Sequence, residues 1–281
     1  MSSRKLERKI FEHNFYFHSD LGTKFGSKTI LDFFVDEEIE RVCRAREKLQ
    51  AIEIIDEELS CIVEEVRQDL IELYLGVGIT IKPSDFPPIY LIPVVRNNFV
   101  VNTFGGEALA SVVCVDERMS LLNLAGSIYH ELHHSIGRKA LVRNTRLFFC
   151  AQIGYFTYAL RGKKSVKRGE FLEEGVIAYF EHLFTTRSPR LFKVRQKHAT
   201  FYKIGANFPK SSPAYEKVRK MIETLVDKAV EADGEDGGKK MKRLLLRSRM
   251  LSGERALLRD YIDSLFGKGM TSKIFWAPFF A

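Results

Sequence analysis

The sequence predicts an α+β protein that is mostly helical, with a small sheet ahead of the helix at residues 120–136. Apolar residues recur at spacings of three and four between residues 36 and 75, and the chain returns to a helical pattern from Ser120 onward, which is typical of amphipathic helices. Short β-branched runs bounded by Pro, Gly or Asn interrupt that pattern between residues 89 and 115, and such runs indicate strands. A chain of this length that is 45% hydrophobic can bury a core without disulfides.

The predicted elements follow in chain order. Residues 1–35 are aromatic without a clear period and predict an irregular arm, whereas the periodicity between 36 and 75 predicts one or two helices. Prolines at 83, 87 and 88 end this pattern. Strands are then expected at 89–95, 99–102 and 109–115, and helices at 120–136, 140–161, 168–185, 213–231 and 254–266.

Composition suggests three parts of the chain. Asp233–Gly238, with the sequence DGEDGG, has the composition of a flexible linker. We therefore expect an N-terminal arm with helices at 1–80, a core at 81–232 and a C-terminal helical segment at 233–281, with one compact domain as the alternative.

Charge and cysteine usage restrict the environment and the partners. The chain carries 44 Lys and Arg against 36 Asp and Glu, a net charge of +8, so an anionic partner is possible. The four cysteines are far apart and none has CxxC spacing, which indicates free thiols in a reducing compartment. The N-terminus lacks the apolar run of a secretory signal, and the apolar stretch 147–160 is too short to span a bilayer. We expect a cytoplasmic protein without a transmembrane segment.

Three of the seven histidines lie in one HExxH motif, His130-Glu131-Leu132-His133-His134. On a helix, side chains four residues apart lie on the same face, so the imidazoles of His130 and His134 can converge on one ion. Buried imidazoles and a carboxylate on an apolar helix are unfavourable unless a cation neutralises them. The motif therefore predicts a metal site. His133 projects to another side and is expected to be a neighbour.

A catalytic zinc ion usually has three protein ligands and one position for water. The third ligand is sought on the next amphipathic helix, which carries acidic residues on an apolar body. Glu173 and Glu174 are the candidates.

These two segments resemble the gluzincin zinc peptidases, the clan that includes thermolysin-like and aminopeptidase-type enzymes. Phe171–Glu181, with the sequence FLEEGVIAYFE, is similar to the aminopeptidase-type helix that carries the third ligand. The resemblance implies that Glu174 is that ligand, that Glu173 takes a place held by Asn, and that the core is zincin-like.

The resemblance also implies a reaction. Zn²⁺ held by His130, His134 and Glu174 would activate water for hydrolysis of a peptide or protein substrate, with Glu131 as the general base. No further cofactor is implied. The substrate, the position of cleavage and the oligomeric state stay open.

Several roles have more than one candidate. The strand at 109–115 could be an edge strand that pairs with substrate or an ordinary core strand, and Glu107 could bind a substrate amino group or lie in a plain turn. The oxyanion donor could be any of Tyr155, Tyr158, Tyr179, Tyr202, His182 and His198.

An alternative function is a basic nucleic-acid-associated protein with a structural or degenerate metal site. Its basis is a set of basic stretches that could follow phosphates; their ranges are Arg138–Arg146, Arg161–Arg168, Arg187–Lys197 and Lys239–Arg249. Such stretches are more often solvated faces. A weaker alternative is a membrane-surface contact through the aromatic tail at 274–280.

Overall fold

The computed structural model describes the backbone of part of the chain, and the side chains of a smaller part. Four short strands are described between residues 16 and 53. The other described ranges are 57–86, 89–92, 106–109, 112–116, 121–137, 139–144, 148–161, 164–189, 191, 213–251 and 253–276. The predicted strand at 99–102 and most of the predicted arm at 1–35 lie outside these residues.

The described helices follow the expected apolar periodicity. They are α1 (Glu57–Leu75), α2 (Leu121–Ile136), α3 (Glu170–Arg187), α4 (Pro213–Met250), α5 (Glu254–Phe266) and α6 (Met270–Trp276), with a short 3₁₀ turn at Pro83–Asp85. The predictions at 120–136, 168–185 and 254–266 are confirmed to within two residues at each end by α2, α3 and α5. None of the described helices is long and apolar enough to cross a membrane.

The strands form separate ladders. Their bounds are β1 (Tyr16–Phe17), β2 (Lys24–Phe25), β3 (Lys28–Thr29), β4 (Ile52–Glu53), β5 (Ile89–Ile92), β6 (Gly106–Leu109), β7 (Val112–Asp116), β8 (Lys139–Asn144), β9 (Phe148–Ile153), β10 (Phe156–Arg161) and β11 (Lys164–Arg168). One sheet has the order β4-β5-β7-β6, in which only the pair β5 and β7 is parallel. Strands β8, β9, β10 and β11 form an antiparallel meander, and β2 pairs with β3.

The predicted fold class, a mostly helical α+β protein with one small sheet ahead of the HExxH helix and a zincin-like core, is wrong. Among the residues described with their side chains, 83% are helical, so the described interior is built from helices and not around a sheet. The strands do not form one small sheet ahead of the HExxH helix. They belong to separate sheets, and the β8–β11 meander follows that helix in the chain.

The largest error concerns residues 140–161, where a helix was expected. This segment forms β8, β9 and β10, and Ile153 pairs with Phe156 across a two-residue turn. Gly154 opens that turn with φ +56°, a conformation that glycine adopts without a Cβ clash. The apolar length of the segment favoured a buried helix, but its aromatic and β-branched content suits strands.

The segment Asp233–Gly238, which was expected to be a linker, is the turn of a helical hairpin. Gly234 is non-helical, with φ +67°, and divides α4 into an N-terminal arm (213–233) and a C-terminal arm (235–250). A Cβ on Gly237 would lie 2.1 Å from the Ala229 carbonyl oxygen, although eight residues of straight helix would separate the two positions by about 12 Å. The chain therefore folds back on itself at Gly234.

Contacts between Cα atoms divide the chain into two compact units. The first contains most of α1, strands β5 to β7 and α2, and α2 packs against β6 and β7. Its core includes Ile62, Val66 and Leu70 of α1, together with Ile128 and Leu132 of α2. These apolar positions set which face of each helix is buried.

The second unit contains β8 to β11, most of α3, and α4, α5 and α6. Helix α5 packs against α4 and α6. Its buried side chains include Leu172 and Val176 of α3, Val218 and Leu245 of α4, and Ile262 of α5. The domain boundaries expected from composition stay a prediction.

Gly175 allows α3 to approach α4 closely within the second unit. An ideal Cβ on Gly175 would lie 2.9 Å from the Val218 carbonyl oxygen and 3.1 Å from Cγ1 of Ile222. Because the nearest atom belongs to the backbone, a side chain here would push the two helices apart.

We predict that Gly175→Ala lowers the free energy of unfolding by about 1–3 kcal/mol, the usual effect of overpacking. Gly253→Ala is the control for an added methyl group, because nothing lies within 4 Å of its added Cβ. Gly253 is the N-cap of α5, where Gly is favoured over Ala, so the change in the free energy of unfolding should be small, less than about 1 kcal/mol in either direction. Urea denaturation measures both. Equal stability of the two variants would show that the helices are not in close contact at Gly175.

Candidate metal centre

Helix α2 brings the two motif histidines together. Leu124, Ile128 and Leu132 are buried, so the helix has one firmly packed face. The Nε2 atoms of His130 and His134 lie 3.2 Å apart, with ring centroids 4.9 Å apart. His130 is buried and His134 is partly buried. The i and i+4 spacing therefore places both imidazoles at one point on the helix surface, as the sequence predicted.

The spacing of the two Nε2 atoms suits a shared cation. In a tetrahedral zinc site with bonds of about 2.1 Å, neighbouring ligand atoms are about 3.4 Å apart. The same two nitrogens can share a proton in a hydrogen bond, with one ring as donor and the other as acceptor. Both arrangements require the two Nε2 atoms to face one point.

Glu174 joins the two histidines. It lies in the first turns of α3, and one ligand atom from each of His130, His134 and Glu174 lies within 4.8 Å of the others. Within the described residues, these are the three metal-ligating side chains that group together. The set consists of two imidazoles and one carboxylate, a combination found in catalytic zinc sites.

The other motif residues have different surroundings. Glu131 is 8% exposed and follows His130 on α2. His133 is fully buried and packs edge-to-face on Tyr129, with ring centroids 5.6 Å apart. His133 therefore lies in the core beside Tyr129, and its expected role as a neighbour of the ligands stays a prediction.

An aromatic stack connects α2 with the C-terminal end of α3. The rings of Tyr129 and Phe184 are nearly parallel, at 18°, with centroids 4.7 Å apart, and both side chains are buried. Such a contact adds about 0.5–1.5 kcal/mol to the burial of the two rings. Tyr129 directly precedes His130, so the stack holds the backbone that carries the first histidine.

Glu173, the other candidate for the third ligand, has a different role. Its carboxylate accepts hydrogen bonds from the guanidinium of Arg249, with Nε to Oε1 at 2.9 Å and Nη2 to Oε1 at 2.5 Å. The backbone N–H of Tyr155 donates to Oε2 at 2.9 Å. Both charged side chains are at most 1% exposed. Glu173 is thus part of a buried ion pair.

Two tyrosines complete this polar cluster. Arg249 donates to the Tyr74 hydroxyl oxygen at 2.7 Å, and the Tyr155 hydroxyl donates to the Leu245 carbonyl at 2.7 Å and contacts the Ser248 hydroxyl. All of these side chains belong to the second unit. Sequence analysis did not identify Arg249 or Tyr74, because no local motif connects residues so far apart in the chain.

The surroundings of Arg249, Tyr74 and Tyr155 favour one protonation state for each side chain. Burial alone would lower the pKa of Arg249, but the charge of Glu173, the interaction with Tyr74 and hydrogen bonds to both raise it above its ordinary value. Burial raises the pKa of Tyr74 and of Tyr155. At neutral pH the guanidinium is therefore charged and both phenols are neutral.

The contacts reduce the set of oxyanion candidates. The Tyr155 hydroxyl is buried and already bonded to Leu245 and Ser248, so Tyr155 is a structural residue. Tyr179 is buried and packs edge-to-face on Phe180, with ring centroids 5.1 Å apart, and His182 lies on the same helix. The side chains of Tyr158, Tyr202 and His198 lie outside the described part of the chain.

Of the two roles left open for the strand at 109–115, an edge strand or an ordinary core strand, the sheet order favours the second. Strand β7, which falls in the run at 109–115, pairs with β5 on one side and with β6 on the other. It is therefore an interior strand. In the described part of this sheet, β6 is the last strand on its side, and it contains Glu107, whose side chain lies outside the described residues.

The basic stretch Lys239–Arg249 is not a continuous phosphate-facing surface at its C-terminal end. Arg249 is buried against Glu173. Arg247 pairs with Glu254 at 2.6 Å and donates to the Val77 carbonyl at 2.8 Å. Both guanidinium groups therefore bind partners within the protein.

Comparisons with known proteins add no family. No protein-family model, no curated protein and no solved structure matches this chain. The likeness to gluzincins therefore rests on the HExxH motif and on the segment Phe171–Glu181.

We predict that the two neighbouring glutamates differ strongly in their effect on stability. Glu173→Ala leaves the Arg249 charge buried and unpaired, and should lower the free energy of unfolding by about 3–5 kcal/mol. Glu174→Ala should lower it less, because that side chain is only partly buried. Chemical denaturation with a chelator present measures both variants without bound metal. Equal losses would contradict the assignment of Glu173 as the structural partner.

Proposed function

We propose that this protein is a zinc-dependent peptidase in which His130, His134 and Glu174 bind the metal and Glu131 is the general base. The observation that carries the proposal is the grouping of the three ligand atoms within 4.8 Å. An HExxH motif can occur by chance. A third ligand from a helix that begins after four intervening strands is a separate observation, and it makes a chance occurrence less probable.

The residues fit a zinc ion in number, type and surroundings. Two neutral imidazoles and one carboxylate leave a fourth position for water or substrate. His130 is mostly buried, and a cation compensates for the burial of polar groups beside it. When bound, zinc supplies Lewis acidity at neutral pH.

Glu131 performs the proton transfers in this proposal. Its carboxylate is next to His130 in the chain and is 8% exposed, so it is mostly shielded from bulk water. A carboxylate in this position accepts a proton from the attacking water and passes it to the leaving amine. The Leu132 side chain that follows is buried, which keeps this turn of α2 fixed.

The proposed substrate is a peptide in extended conformation, processed in the cytoplasm. Helix α2 packs against β6, and a strand at the side of a sheet can pair with an extended chain through backbone hydrogen bonds. The four separated cysteines favour a reducing compartment. The alternative, nucleic-acid binding, is less favoured because Arg247 and Arg249 are engaged inside the protein.

We predict that the wild-type protein binds about one zinc ion per chain, as a His₂Glu site should. His130→Ala and Glu174→Gln should lose the metal and the hydrolysis of peptides. Glu131→Gln should keep the metal and lose hydrolysis, because it removes only the proton acceptor. Elemental analysis measures zinc, and mass spectrometry of a peptide mixture measures cleavage.

Glu181→Gln is the matched control for Glu174→Gln, because Glu181 lies two turns further along α3. It should keep both zinc and activity. Retention of stoichiometric zinc in His130→Ala would refute the metal site. Zinc binding without cleavage of any peptide would instead indicate a structural or degenerate site.

A further inference from the structure

Building on the proposed function, we infer that Arg249 is a positioning residue for the metal site, because its buried ion pair with Glu173 fixes the turn of α3 that carries Glu174. Arg249 does not belong to the proposed ligand set. It acts on the ligand through its neighbour in the chain.

The first step of the argument is the geometry of consecutive helical residues. Successive side chains on an α-helix are rotated by about 100° and separated by 1.5 Å along the axis. When the Glu173 side chain is held, the rotation of this helical turn is held too. The direction in which the Glu174 side chain leaves the helix is then determined.

The second step is how completely Glu173 is held. Nε of Arg249 donates to both carboxylate oxygens, at 2.9 and 3.0 Å, and Nη2 donates at 2.5 Å. The Tyr155 N–H adds a bond at 2.9 Å, and the Glu173 N–H donates to the Gly169 carbonyl at 2.9 Å. Both the backbone and the tip of this side chain are therefore constrained.

The third step is that α4 contacts both neighbours of Glu174. Gly175 lies against the carbonyl of Val218 in the N-terminal arm of α4, and Glu173 pairs with Arg249 in the C-terminal arm. The helical hairpin thus holds the residue before the proposed ligand and the residue after it. A ligand between two fixed positions needs little reorganisation to bind a metal.

The fourth step separates positioning from simple stability. A buried ion pair is weak support for stability, since well-packed apolar residues of similar volume are often equally stable in its place. Groups that orient metal ligands, by contrast, typically change metal affinity by about 10- to 100-fold when they are removed. The two roles can therefore be measured independently.

The experiment compares wild type with the double variant Glu173→Leu/Arg249→Met, which removes both charges together and leaves neither one unpaired. Arg249→Lys is the second variant, because it keeps the charge and loses the paired N–H geometry. Arg247→Met is the control. Arg247 lies two residues before Arg249 on α4 and also pairs with a glutamate, Glu254 of α5. Zinc dissociation constants are measured by competition with a chromophoric chelator, and stability by urea denaturation without metal.

We expect the zinc dissociation constant to rise by about 10- to 100-fold in the double variant and less in Arg249→Lys, with little change in Arg247→Met. We also expect no correlation between these changes and the urea midpoints. If the folded double variant or the folded Arg249→Lys variant binds zinc with wild-type affinity, the positioning role is overturned and the proposed metal site stands. Absence of zinc binding in wild type would overturn the proposed function and this inference with it.

Discussion

The buried ion pair between Arg249 and Glu173 is the constraint that orients the start of α3 in the second unit. A carboxylate at 1% exposure is stable inside a protein only when a cation and hydrogen-bond donors surround it. The cation comes from the last turn of α4, and one donor comes from the β9–β10 turn through the Tyr155 N–H. Three elements that are distant in the chain must therefore meet at the start of α3, and the fold-back of α4 at Gly234 is compatible with that meeting.

The two adjacent glutamates have different roles because consecutive side chains on a helix point in different directions. Glu173 enters the polar cluster with Arg249 and Tyr155, whereas Glu174 groups with His130 and His134. Gly175 contributes by having no side chain, which lets α3 approach the Val218 carbonyl. Each residue of the Glu-Glu-Gly sequence thus has a separate physical reason for its type, and the reason for the glycine is packing against α4.

The sequence was sufficient to predict the features that depend only on residues close together in the chain. The i and i+4 spacing of His130 and His134 needs only the geometry of one helix, and the bounds of α2 follow from its apolar residues. Glu174 came from a likeness to a family motif. Arg249 could not be found in this way, because its partner lies 76 residues away and its surroundings read as a basic surface. The segment 140–161 was misjudged because a long apolar run suits either a buried helix or paired strands, and only the pairing partners decide between them.

The spacing of the two imidazoles explains why a metal could enter this site without large movements. At 3.2 Å, the Nε2 atoms of His130 and His134 are close to the ligand spacing of about 3.4 Å in a tetrahedral zinc site. Without metal, a shared proton satisfies the same pair of nitrogens, so the rings need not turn away from each other. The buried Tyr129–Phe184 stack holds the backbone beside His130. For the two imidazoles, exchange of a proton for a cation then requires adjustments of only tenths of an ångström, which a packed helix can accommodate.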